Sequence, residues 1–98
     1  MDRTERIKKM EKRLVRSERA IRALNRALDG YIKAADDIRA LSEYYESDDW
    51  KSDFAADEAG QLPNDLKRGV LSEDGIYNLL SDDKALIETI AEIVSSHK

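Results

Sequence analysis

Apolar residues recur by threes and fours through the first half of the chain. Ile7, Met10, Leu14, Ser17, Ile21, Leu24, Leu28, Tyr31, Ala35 and Ile38 follow one another without a missed step. A 3.5-residue repeat of this kind is the seam of a left-handed coiled coil, with Ser17 and Ala35 as its weak members. Leu41, Tyr44 and Tyr45 carry the stripe one turn further, so the pattern predicts one amphipathic helix over about residues 4–46. At 1.5 Å per residue such a helix runs roughly 65 Å, too far for the remaining residues to cover. The first part of its seam (Ile7, Met10, Leu14, Ile21, Leu24 and Leu28) is therefore expected to meet a second copy of the chain.

Gly30, after Asp29, is the one interruption to weigh. Read as a helix C-terminal glycine, it would split the segment into a hairpin. Read through, it costs a helix interior about 1 kcal/mol, which a long apolar seam absorbs. The apolar phase runs unbroken from Leu24 and Leu28 to Tyr31 and Ile38, which favours continuity.

After Glu46 one local device repeats: Ser47-Asp48-Asp49, Ser72-Glu73-Asp74 and Ser81-Asp82-Asp83 each set a serine before two acids. A serine hydroxyl accepts a bond from an orphan N–H, and acids suit the positive end of the helix dipole. Three shorter helices are predicted to begin at these places. The first ends at Gly60, and 61–71, with Pro63, Asn64 and Gly69, forms a loop. The second buries Ile76, Tyr77, Leu79 and Leu80, and on the third Leu86, Ile87, Ile90, Ala91, Ile93 and Val94 form an amphipathic stripe. No segment reads as a strand. The expected fold is all-α: a single domain over 1–98, with a long coiled-coil-like helix and three shorter helices packed on its second half.

Charge divides the chain. Residues 1–28 carry ten Lys or Arg against four acids, a net of +6; residues 29–98 carry seven against seventeen, a net of −10. That pattern invites association of opposite halves or a charged partner. The basic residues spread around most of the first helix. Arg6 and Arg13 flank the seam on one side and Glu11 and Glu18 on the other, where a parallel partner helix would bring them together. The same side chains also serve a solvated surface, through spacings such as Glu18–Arg22. Charged residues are 39% of the chain, and Leu, Ile, Val and Phe together only 22 of 98, so helical periodicity is what lifts the sequence above a disordered composition.

Candidate chemistry is sparse. With no cysteine there is no thiolate nucleophile and no sulfur metal site, and the one histidine, His97, sits beside the terminus. No glycine pattern cradles a phosphate. Lys67 and Arg68 could hold an anion ahead of the helix starting at Ser72, but Glu73 and Asp74 already occupy that dipole end. No catalytic residue, metal or cofactor is expected, nor a membrane span or signal peptide, and the expected compartment is the cytoplasm. The richest segment, 44–54, holds the only Trp and the only Phe. Trp50 and Phe54 share one face, and Asp49, Asp53 and Asp57 form an acidic row on another. Tyr45, Trp50, Asp53, Phe54 and Tyr77 are thus the candidate signature: a partner site, or a small helical core closed by aromatics with Trp50 mostly buried.

The blocks Tyr-Tyr-Glu-Ser-Asp-Asp-Trp-Lys-Ser-Asp (44–53) and Leu-Pro-Asn-Asp-Leu-Lys-Arg-Gly-Val-Leu-Ser-Glu-Asp-Gly-Ile-Tyr-Asn-Leu-Leu (62–80) resemble a family of bacterial proteins of about this length, described as a domain of unknown function. The likeness extends to Glu-Arg-Ile-Lys-Lys-Met (5–10) and spans most of the chain. It implies a bacterial or bacteriophage source and carries no functional residue with it. The residues themselves support a non-enzymatic helical interaction protein, self-associating as a homodimer through its N-terminal seam and open to a further protein partner. Two other readings stand beside it. One is a nucleic-acid-binding regulator using the basic helix, disfavoured by the dispersed charge and net acidity. The other is a small acidic inhibitor of a basic partner.

Overall fold

The first helix begins at a side chain that supplies what a helix end lacks. The Asp2 carboxylate accepts the Glu5 N–H at 2.8 Å, and the Asp2 carbonyl accepts the Arg6 N–H at 3.0 Å. This satisfies orphan donors in the manner of an N-cap, with Glu5 at the position favoured in a capping box. In the computed structural model, which describes residues 2–97, α1 spans Arg3–Tyr45 and passes through Gly30 without a break. The hairpin alternative is thereby excluded.

Ser47 ends α1 and opens the next helix with one hydroxyl. Its Oγ donates to the Tyr44 carbonyl at 2.6 Å and accepts the Trp50 N–H at 3.2 Å. α2 follows as Asp48–Glu58, with Asp48 and Asp49 in its first turn, where the helix dipole favours negative charge. It stops at Gly60, whose φ of 71° is the only left-handed backbone among the described residues. Gln61 N–H reaches the Ala56 carbonyl and Gly60 N–H the Asp57 carbonyl, each at 3.0 Å, which closes a Schellman motif. The loop beyond makes one turn, Leu66 N–H to the Pro63 carbonyl at 3.2 Å.

A 3₁₀ turn over Gly69–Leu71 leads into α3, Gly75–Ser96. Here the sequence expectation of three shorter helices is corrected: among the described residues there are two, plus this turn. Ser72 does accept the Gly75 N–H at 3.0 Å while donating to the Gly69 carbonyl at 2.8 Å. Ser81 caps nothing, because it lies inside α3. The Ser-Asp-Asp device needs a break in the chain ahead of it, and no glycine or proline separates Ser81 from Ile76. Ile76, Leu80, Ile87, Ile90 and Val94 keep helical phase straight through, with Ser81 on the exposed side.

The fold is all-helical, with no strand among the described residues and a first helix far longer than the others. No helix of the described residues is long and apolar enough to cross a membrane. The chain divides into two units, Met1–Ala35 and Asp36–Lys98. In the second, the 3₁₀ turn touches both α2 and α3, and Leu71 and Ile76 are its buried residues, 5% and 3% exposed. In the first unit no described residue is buried.

Candidate interaction surfaces

The second unit holds its corner together through aromatic and polar contacts drawn from the 44–54 segment. Trp50 is the hub. Its ring meets Tyr45 edge-on at 5.1 Å and stacks on Phe54 at 5.1 Å, and its Nε1 donates to the Val70 carbonyl at 2.9 Å. The i, i+4 spacing of Trp50 and Phe54 on α2 sets the stack, and the Ser47 turn brings Tyr45 to the same side. Tyr45, Trp50 and Phe54 are all half-buried, so Trp50 is less enclosed than the sequence suggests. The Val70 carbonyl belongs to the 3₁₀ turn, so this bond ties the turn to α2. Tyr77 does not join the cluster. It projects from the first turn of α3 at 59% exposure, on a face turned away from Ile76.

Two members of the expected acidic row are engaged by partners. The Tyr44 hydroxyl donates to Asp53 at 2.6 Å, and Arg68 pairs with Asp57 at 2.7 Å. The hydrogen bond to Asp53, together with partial dehydration and the nearby charges of Asp53 and Asp49, pushes the Tyr44 phenol up to about 12. Arg68, considered above as an anion ligand, is instead a strut from the loop to α2. Neither pair is readable from sequence, since nothing in the spacing selects these acids from the chain's twenty-one. Among the described residues no three His, Cys, Asp or Glu side chains converge to hold a metal ion.

In the first unit the seam lies open. Ile7, Met10, Leu14, Ile21 and Leu24 are each more than half exposed, and Leu28 is 37% exposed. Val15 and Ile32, outside the heptad, add apolar surface that the seam pattern omits. α3 behaves in the same way beyond its first turns: Leu79, Leu86, Ile87, Ile93 and Val94 range from 39% to 68% exposed. A family model described as Domain of unknown function (DUF4298) matches residues 7–93. The chain belongs to that family. The DUF4298 match takes in both the open seam and the aromatic corner, so each is part of the family's domain. No curated protein and no solved structure matches the chain.

Proposed function

We propose that this DUF4298 protein is a non-enzymatic helical interaction protein that self-associates through the Ile7–Leu28 seam. The observation that carries the reading is the exposure of that seam on a single copy, with Ile21 at 62% and Leu24 at 60%. Isolated apolar side chains on a surface are ordinary, but a continuous stripe at coiled-coil spacing marks an interaction site. Burying such a stripe against a partner removes apolar area from water, worth about 25 cal/mol per Å² before the cost of association is met.

Sedimentation equilibrium at micromolar concentration tests the proposal. The expected mass is twice the 11.2 kDa of one chain, falling to one chain for Leu14→Asp. A carboxylate in a closed apolar seam costs several kcal/mol, enough to shift association by orders of magnitude. A monomer that Leu14→Asp leaves unchanged would overturn the reading.

A further inference from the structure

Resting on that proposed self-association, we infer that the second copy lies parallel to the first and in register, seam against seam. Four charged residues beside the seam carry the argument. Arg6 and Arg13 flank it on one side, Glu11 and Glu18 on the other, and all four are exposed. At 3.6 residues per turn Arg6 lies about 140° around the helix from Glu11, so the two cannot meet on their own chain. Nor are they paired elsewhere. Among the described residues the ion pairs are Arg39–Asp36 and Arg68–Asp57, and the pair open to Glu18 and Arg22 is not made.

Orientation decides what these flanks meet. Two parallel helices bring opposite flanks together, so Arg6 faces Glu11 and Arg13 faces Glu18 of the second copy, each twice by symmetry. Antiparallel helices bring each flank against itself. Arginine then meets arginine, or Ala20 and Ala27 further along its flank, and glutamate meets glutamate or Asn25. Antiparallel pairing of this seam makes no attraction there, whereas parallel pairing makes four. Register follows from the same residues. A slip of one heptad halves the four pairs, because one Arg13 then faces Asn25. The slip also parts the two copies of Ser17, the one polar seam residue between Ile7 and Leu28. In register each Ser17 hydroxyl has the other to bond; slipped, each is buried against Met10 or Leu24 with no partner.

The chain has no cysteine, so a single introduced thiol reports on its own twin. Ile7→Cys and Leu28→Cys, at the two ends of the seam, are each made in the full-length chain and gently oxidised at micromolar concentration. Parallel copies in register hold like positions side by side, so each variant is expected to give a disulfide-linked species of two-chain mass. Lys12→Cys, on the outer face, is the control and is expected to give none. An antiparallel pair holds like positions at these ends about 30 Å apart, beyond the reach of a disulfide, so either product alone upholds the inference. A dimeric parent with neither variant linked overturns it and leaves self-association standing. A monomeric parent overturns both. Charge reversal gives an independent readout. Arg6→Glu with Arg13→Glu turns the four attractions into repulsions and is expected to weaken the dimer about tenfold or more, and added Glu11→Arg and Glu18→Arg to restore it. Affinity unchanged or raised by the arginine reversal would also overturn the inference.

Discussion

The two units of this chain solve the problem of a small core in opposite ways. The second unit closes a corner with directed contacts: a Trp indole bonded to the Val70 carbonyl, a tyrosine bonded to Asp53, an arginine paired with Asp57. The first unit closes nothing on itself, and its apolar residues stay open. A helix satisfies its own backbone, so it persists with only a stripe to offer a partner. A corner made of short elements has no such independence, and each of its turns needs a named side chain. Substitutions should therefore be felt sharply in the second unit and lightly in the first, except along the seam.

Trp50→Ala is the strongest way to break that contrast within one chain. It removes two ring contacts and the hydrogen bond to the 3₁₀ turn, and is expected to cost about 3 kcal/mol in denaturant melts, the low end for emptying an aromatic site because Trp50 is half-buried. A midpoint close to that of the parent would make Trp50 a partner anchor in place of a structural hub.

The glycines sharpen the comparison. A Cβ at Gly75 would collide with the Gly69 carbonyl oxygen and sit 2.6 Å from Ser72 Oγ, so the turn into α3 admits no side chain there. Gly75→Ala is expected to destabilise by about 1–3 kcal/mol, the usual cost of overpacking. At Gly30 a Cβ meets nothing within 4 Å. Gly30→Ala is therefore expected to stabilise α1 by about 1 kcal/mol and to raise helicity in circular dichroism. The same substitution thus changes sign between the units, and equal effects at the two sites would remove the contrast.

The smallest effect is titrimetric. Tyr44, held up to about 12 by its bond to Asp53, stays protonated where an ordinary phenol ionises near 10. Its folded value is raised, so its contribution to stability is intact below about pH 10 and is lost as pH rises through 12. Ultraviolet titration should show the Tyr44 phenol ionising late, and Asp53→Asn should bring it earlier.

The long helix is legible in the sequence because nine successive steps of three and four cannot be met by a strand or a loop, and because Gly30 falls off the seam. The Ser47 and Gly60 boundaries are legible because each is a chemical requirement, a hydroxyl for orphan N–H groups and a residue tolerant of positive φ. Ser81 misleads for the same reason: Ser-Asp-Asp describes a helix start equally well when it occurs in the middle of one. Periodicity states that α3 has an apolar face and is silent on what covers it, so the exposure of Leu86 and Ile93 appears only in the structure. The Tyr44–Asp53 and Arg68–Asp57 pairs depend on how the chain bends between them, which no local pattern encodes.

The indole bond from Trp50 to Val70 bridges a separation of twenty residues, and the bonds from Tyr44 and Arg68 span nine and eleven. Such closures keep the search for the native corner brief. Helix growth takes about nanoseconds per residue and closure of a ten-residue loop about 10–100 ns, so the Tyr44–Asp53 and Arg68–Asp57 bonds form through events of that order. The corner can be complete while association, which depends on concentration, has yet to begin.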